Sequence, residues 1–426
     1  MRKNTYRWVF LLAIVACLVT IPMVNAQQKL TIWGWEFVKD TVGVADDFLA
    51  ENPDVEIEFQ VIAAGDLYQK LLLTLSAGSG APDIVALENS RVPQFIQTGG
   101  LMDLTRWVDP YRDQFVEYKW VDVKDQQNRI YALPIDAGPM ALFYRRDIFE
   151  KAGLPSEPAD VADLLQTWDD YLAVAKRIKE ATGSYMFALA KGANDGRIFE
   201  NLLNQRGIGY FDSKGNVILD SPKAVEVLRL FGQFWEHDLV QDTEPWTSGW
   251  YAGIADGGVA TIVGAVWMGG FMKSWIAPDA EGLWGVVPLP GWAGEPRASA
   301  NDGGSTLAIT KYARNPELAW RFIEYQLTQK DQQVRMWRDM DSFPALMTAF
   351  SDPLVDQPDP YFGGQSYRRV FIDAVQQIPE WWYTEDYAEA NNLMSTEIVN
   401  FALGRKTADK AIADAAAAIR RNTGRK

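Results

Sequence analysis

The sequence predicts an α/β protein built on a parallel sheet covered by helices on both faces. Three observations carry this. Strand-like and helix-like patterns alternate through the first hundred residues, in the order strand, helix, strand, helix, strand. Val55-Glu56-Ile57-Glu58-Phe59-Gln60-Val61 alternates apolar and polar residues without a miss, the period of a strand with one wet face. The chain has 426 residues and is 48% apolar, enough for about two to three domains of ~100–200 residues each.

Leu30-Thr31-Ile32-Trp33 opens the first strand. The stretch to Leu49 reads as one helix, with Val42, Val44, Phe48 and Leu49 able to share a face, and Asn52-Pro53 stops it. After the strand at Val55–Val61, Asp66 is expected to cap a second helix through Leu67, Leu71, Leu72 and Leu75, ending at Gly78. Pro82 to Leu87 is a third strand, and a helix runs from it to Gly99-Gly100. A further strand is expected at Ala141–Tyr144, and beyond it helical pattern dominates. Thr167 heads a run containing Tyr171, Leu172, Ala175 and Ile178. Ser221-Pro222 is an N-cap followed by Pro at the first helical position, opening a helix to about Glu236; Asn315-Pro316 repeats the device. An Ala-rich helix near Thr407 to Arg420 closes the chain. Trp250 to Met272 is mostly apolar, but Asp256 and six glycines argue against a membrane span. A short helix, a turn at Asp256-Gly257-Gly258, a buried strand Val259–Val263 and a glycine-flanked loop presenting Trp267 are expected instead.

Composition narrows the chemistry. The net charge is −15, and an acidic chain repels phosphate backbones, so nucleic acid is not an expected partner. His237 is the only histidine and Cys17 the only cysteine, which removes His- or Cys-rich zinc sites, disulfide frameworks and Cys–His dyads. No cofactor or metal is called for, although a calcium site of carboxylates and carbonyls stays open. There are 17 Trp, 16 Tyr and 20 Phe. Trp is rarely fully buried and its N–H needs a partner. The surplus is either the ornament of a large core or a set of flat amphipathic surfaces on which sugar rings stack.

Arg2, Lys3 and Arg7 precede an apolar run from Val9 to Val24 that ends in Val24-Asn25-Ala26. A basic start, a short apolar stretch and a small-x-small exit describe a secretory signal, and the run is shorter than the ~20 residues of a spanning helix. Cleavage after Ala26 is expected, which makes residues 1–26 a signal peptide. Ile14-Val15-Ala16-Cys17 loosely resembles a lipoprotein box, the alternative being a lipid tether at Cys17. Either route exports the protein to the periplasm or the cell surface.

Several segments, in order, resemble the family 1 extracellular solute-binding proteins of bacterial ABC importers, the maltodextrin-binding type. They are Leu71 to Leu87 (LLLTLSAGSGAPDIVAL), Tyr131 to Gly153 (YALPIDAGPMALFYRRDIFEKAG), Gly257 to Trp267 (GGVATIVGAVW), Gly303 to Phe322 (GGSTLAITKYARNPELAWRF) and Ala402 to Ile419 (ALGRKTADKAIADAAAAI). The resemblance spans essentially the whole mature chain. It implies a periplasmic-binding-protein fold of two α/β lobes joined by about three crossings, near Asp136, Asn301 and Phe350, with the ligand in the cleft between them. The first lobe would hold residues 27–136 and 301–350, and the second, more helical lobe 137–300 and 351–426. Asn204–Asp220 and Trp284–Trp292 lean toward a branch that binds arabino-oligosaccharides or other plant-derived oligosaccharides.

Candidate site residues follow from both readings. Trp33 and Trp35 flank the end of the first strand, where open parallel sheets bind ligands; they point to opposite faces if the strand continues, so Trp35, with Glu36 beside it, is the cleft candidate. Glu88 follows the third strand, and Arg91 matches a sugar-contacting arginine of the family, although Ser90 replaces the Asp that often precedes it. A solvated loop pair is the plain alternative. Asp136, between Pro134 and Gly138, could accept from two sugar hydroxyls at once or simply cap a turn. Asn194-Asp195 lies in a Gly-flanked loop where the family approaches its ligand, and where a turn is equally natural. Trp267 matches the family's tryptophan after the Gly-Val-Ala-x-x strand. Trp381-Trp382-Tyr383 cannot all face a core from a helix, and the resemblance implies an aromatic platform at this position. Asn301-Asp302 would add polar contacts from the second crossing.

The resemblance implies capture of an oligosaccharide by stacking and polar contacts, delivery to ABC permease subunits, no catalysis and a monomer. Two other classes compete. A secreted glycoside hydrolase also joins Trp platforms to carboxylates, and Glu36, Glu88 and Asp136 could be imagined in that role. A binder of a non-sugar solute such as a polyamine or a polyol phosphate would draw on the acidic candidates or on Arg91.

Overall fold

The computed structural model describes residues 27–43, 45–192 and 196–426. The expected signal peptide, its cleavage point and Cys17 lie outside the described residues, as do Val44, Asn194 and Asp195.

Along the chain come β1 (Gln28–Gly34), β2 (Val55–Val61), β3 (Ile84–Glu88) and β4 (Ala132–Pro134), then β5 (Met140–Arg145), β6 (Phe187–Ala188), β7 (Val240–Gln241), β8 (Thr261–Ala265) and β9 (Trp284–Val287), and finally β10 (Ser305–Ile309). β1 to β4 and β10 form one sheet in the order β2-β1-β3-β10-β4. β1 runs parallel to both β2 and β3, as the alternation of strands and helices predicts. β10 runs antiparallel to β3 and β4, so the sheet is mixed rather than parallel throughout. The reason is connectivity: β10 enters after the chain has built the second lobe and runs the other way. Central strands are buried on both faces, with Ile32, Ile84, Leu87 and Leu307 inaccessible. β2 is one of the two edges, and its exposed Glu56 and Glu58 charge the face that alternation assigns to water.

The second sheet, β8-β5-β9, is antiparallel throughout, and β6 pairs with β7 alongside it. Met140, Leu142 and Tyr144 face a core shared with the helices Trp168–Thr182, Pro222–Glu236 and Ala408–Thr423. Ala141 and Phe143 face the opposite way, into a core that continues to the first sheet. Two α/β lobes, each on its own sheet, are the result.

Helix starts and stops follow local chemistry. Thr167 forms a full capping box with Asp170, Ser221 and Asn315 cap ahead of their prolines, and Thr407 caps the last helix. Three expectations need correction. The first helix is two, Glu36–Val42 and Asp46–Glu51, the first closing at Gly43, whose N–H donates to the Lys39 carbonyl (2.8 Å). Asp66 does not cap: the helix Ala64–Ala77 begins earlier and Asp66 contributes only its charge to the first turn. Trp267 opens a short helix, Trp267–Phe271, instead of sitting in a loop.

Three passages of chain meet between the lobes. The Asp302 N–H donates to the Gly138 carbonyl (2.9 Å) and the Gly138 N–H to Asn301 Oδ1 (3.0 Å). Ala137 N–H donates to the Phe343 carbonyl (2.9 Å), and Asp136 bridges Pro344. Phe350 packs on Phe343 from the following turn, with ring centroids 5.3 Å apart.

Candidate functional site

One of these passages, Asn301 to Gly304, lines a cavity of about 210 Å³ between the lobes. On the first-lobe side, Glu88 ends β3 and accepts from the Tyr68 hydroxyl (2.9 Å). Arg91 follows in the turn Asn89–Arg91, its guanidinium 5.3 Å from the Tyr68 ring centre. Asn89 is buried and donates to Asp122 Oδ2 (2.8 Å).

On the second-lobe side the helix Arg197–Gln205 supplies Arg197, Glu200, Asn201 and Asn204. Positions i, i+3, i+4 and i+7 share one face, so a polar stripe, set off from Ile198, Phe199, Leu202 and Leu203, is aimed into the cavity. Glu200 accepts from the Tyr387 hydroxyl (2.8 Å) and from Asn391 Nδ2 (2.5 Å). Asn204 accepts from the Asn301 N–H (2.8 Å) and donates to the Pro379 carbonyl (3.1 Å). Beyond Pro379 the chain is extended, so neighbours alternate: Trp381 and Tyr383 line the cavity while Trp382 does not. Trp382 bridges Phe211 and lies 5.8 Å from Lys124 Nζ.

Burial sets the electrostatics. It pushes the Asp122 carboxyl up to about 7, against the pull of Lys119 and the Asn89 hydrogen bond, and it raises Glu200. Lys119 is inaccessible, its ammonium has no hydrogen-bond partner among the described residues, and burial lowers its pKa.

Beside this cavity lies a second, aromatic compartment lined by Trp246, Trp250 and Trp267. Arg197, Asn201 and Asp302 border both spaces. The Arg197 Nε–Asp302 Oδ1 pair, at 3.3 Å, stands between them.

The sequence candidates therefore separate. Glu88, Arg91, Asn301, Asp302, Trp381 and Tyr383 come together around the main cavity, and Trp267 joins the aromatic compartment. Asn301 spends its side chain on the crossings, accepting from Tyr118 and Gly138 and donating to Gly303. Asp136 does not line the cavity; it is buried, accepting from the Ser305 N–H (2.6 Å). This is a long-range contact to the start of β10 and not the cap of a local turn. Burial raises its carboxyl to about 6. Trp35 packs against the first core and exposed Glu36 pairs with Lys39 (2.9 Å), both outside the cavity. Sequence reasoning missed Tyr118, Asp122, Tyr387, Asn391 and the polar stripe. Only the stripe carried a signal, its helical spacing.

The sequence profile of the family described as bacterial extracellular solute-binding protein matches residues 36–333. The chain belongs to this family. Among its relatives, an arabinooligosaccharide-binding protein of Halalkalibacterium halodurans is 27% identical, over 88% of this chain and 84% of the relative. A lactose-binding protein of Rhizobium radiobacter is 28% identical, over 82% and 83%. A solved binding protein associated with an ABC transporter of B. animalis subsp. lactis Bl-04, in complex with β-1,6-galactobiose, superposes with a TM-score of 0.77 at 26% identity, covering 93% of this chain and 98% of that one.

This solute-binding protein presents its cavity as a mixed field of acceptors, amides and guanidinium groups, with indole and phenol faces at its wall. Hydroxyls both donate and accept, so such a field can saturate a polyhydroxylated ligand, and the aromatic faces can take its C–H surfaces. Among the described residues no helix is long and apolar enough to cross a membrane, and no group of three His, Cys, Asp or Glu side chains could hold a metal ion.

Proposed function

We propose that this protein captures an oligosaccharide in the cavity between its lobes and delivers it to the permease of an ABC importer, without catalysing a reaction. The observation that carries the reading is the composition of the cavity. Hydrogen-bonding side chains from both lobes and from the second crossing converge on one space beside Trp381 and Tyr383. A buried hydroxyl without a partner costs more than stacking returns, and this wall carries hydrogen-bonding groups from both lobes. The names of the relatives, which bind arabino-oligosaccharides and lactose, lend support. In this reading the lobes comprise 27–136 with 301–350 and 137–300 with 351–426. The protein works as an exported monomer cleaved after Ala26. Trp35, Glu36 and Trp382 touch ligand only if the lobes close further.

A thermal-shift screen of the mature protein against xylotriose, arabinotriose, cellotriose, maltotriose, lactose and β-1,6-galactobiose tests this. A cognate sugar at 100 times its Kd adds ~2.7 kcal/mol of stability. If no sugar in the set raises the melting temperature while spermidine or a polyol phosphate does, the carbohydrate reading fails. Release of reducing ends from any of the sugars would point to a hydrolase instead.

A further inference from the structure

Trp246 stands opposite Trp267 in the aromatic compartment. Their rings are 28° from parallel with centroids 6.0 Å apart. Trp267 is fixed: its indole N–H donates to the Asp302 carbonyl (2.9 Å), and Phe271 packs on it at 5.5 Å. Trp246 is 39% exposed, and its N–H donates to no described residue. It rests on Trp250, 5.1 Å away, and edge-on against Phe271. Its backbone is left-handed, with φ +64°, a conformation that costs a bulky residue free energy and persists where something holds it. The turn is held from below, because Thr247 caps the helix Ser248–Ala255 and its hydroxyl donates to the Glu244 carbonyl (2.7 Å). A partly exposed aromatic side chain is thus stacked against a fixed one beside Arg197 and Asp302, which border the main cavity as well.

We infer that Trp246 and Trp267 are the two jaws of a clamp that selects a sugar unit whose ring is apolar on both faces, an aldopyranose with all its ring hydroxyls equatorial, of the xylo or gluco type. The inference rests on the carbohydrate reading above and adds to it which ring is accepted. The chemistry is geometric. When every ring hydroxyl is equatorial, axial C–H bonds cover both faces and each can meet the negative face of an indole. A ring with an axial hydroxyl, as in galactose, offers one such face and sets an oxygen against the second indole, where it loses its hydrogen bonds. Optimal carbon contacts lie about 3.5–4.0 Å apart, so two stacked contacts need the rings roughly 7–8 Å apart. The two rings are stacked on each other, so the jaws must part to admit a sugar ring, and the movable one is Trp246, on its exposed turn. Its free N–H then remains available to a hydroxyl at the edge of the ring.

Calorimetry on wild type, Trp246→Ala, Trp246→Gly, Trp267→Ala and Trp275→Ala tests the clamp with four probes: xylotriose, cellotriose, β-1,6-galactobiose and arabinotriose. Glycine suits the left-handed position, so loss of binding in Trp246→Gly is not a folding defect, and an unchanged melting temperature checks this. Trp275 is also exposed but packs on Tyr251 and Phe271, not on Trp267, which makes it the control. Wild type should bind xylotriose or cellotriose at least about ten-fold more tightly than the other two. Both Trp246 variants should weaken that binding about ten-fold and narrow the gap to within about three-fold; Trp275→Ala should change nothing. The clamp is overturned if Trp246 variants bind as wild type does, if they weaken all four probes equally, or if wild type prefers galactobiose or arabinotriose. Sugar binding that depends on Trp267 but not Trp246 sinks the clamp alone. No binding of any sugar by wild type sinks the carbohydrate reading with it.

Discussion

The indole N–H of Trp267 donates to the main-chain carbonyl of Asp302 at 2.9 Å, tying an aromatic wall of the second lobe to the crossing that returns the chain to the first. Asp302 also donates its N–H to the Gly138 carbonyl (2.9 Å) and meets Arg197 through its carboxylate. One residue therefore links two crossings, an aromatic wall and the polar stripe.

That linkage separates two roles of Trp267. Trp267→Phe keeps an aromatic face but leaves the Asp302 carbonyl without its donor, which should lower stability by about 0.5–1.5 kcal/mol while sugar binding largely survives. Trp267→Ala should also lose the face, and affinity should fall about ten-fold or more. Chemical denaturation and calorimetry on both variants measure the split. Equal affinity loss in the two would mean that the hydrogen bond, not the face, matters.

Gly138 is the tightest point of the hinge. A Cβ there would overlap the Asp302 backbone carbonyl, which cannot swing aside as a side chain can. Gly138→Ala should therefore push the two crossings apart and cost about 1–3 kcal/mol. A melt showing wild-type stability would mean that the crossings give way more easily than their hydrogen bonds imply.

Stability should fall as pH rises through the weakly acidic range. Burial raises the carboxyls of Asp122 to about 7 and Asp136 to about 6 from the usual value near 4. The folded protein therefore binds more protons than the unfolded chain between about pH 4 and 7, and the slope of stability against pH is negative there. The contribution is fully present below about pH 4 and lost once both groups have ionised. Lys119, with its pKa lowered by burial, is the cation that both carboxylates face. Lys119→Met should thus be far more destabilising at about pH 8 than at about pH 5, in the range of ~3–5 kcal/mol for an uncompensated buried charge. Denaturant titrations across this range test it, and Asp122→Asn should flatten the upper part of the wild-type slope.

Much of this architecture was legible in the sequence because its signals are local. The strict alternation at Val55–Val61, the Ser221-Pro222 and Asn315-Pro316 starts and the glycine at 78 each fix an element through chemistry within a few residues. What sequence could not supply was direction and depth. Nothing local tells that β10 runs against β3, since that depends on where the chain has been in between. Nor does anything near Asp136 tell that its carboxylate is turned toward Ser305, 169 positions on. The aromatic run Trp381-Trp382-Tyr383 was visible as a cluster, but an extended backbone splits it between cavity and surroundings. The polar stripe of Arg197, Glu200, Asn201 and Asn204 was readable in principle, because polar residues at helical spacing have no place in a core unless they face something polar.

Closure of the lobes on ligand is the last expectation, and it follows from how the crossings are built. Gly303 and Gly304 both hold left-handed backbone, φ +82° and +98°, which they adopt without a Cβ penalty. They sit between β10 of the first lobe and Asn301, which is bound to Asn204 of the second lobe (2.8 Å). Rotation there changes the distance between Glu88 and Arg91 on one wall and Arg197 and Glu200 on the other. A ligand that bridges the walls binds the closed state more tightly than the open one, and only that difference can shift the population. Small-angle scattering of the mature protein, alone and saturated with whichever sugar raises its melting temperature, should show a smaller radius of gyration on binding. Gly304→Ala, whose Cβ would meet the Lys119 ammonium, should blunt that change. Identical profiles with calorimetrically confirmed binding would mean a rigid cleft that takes sugar without moving.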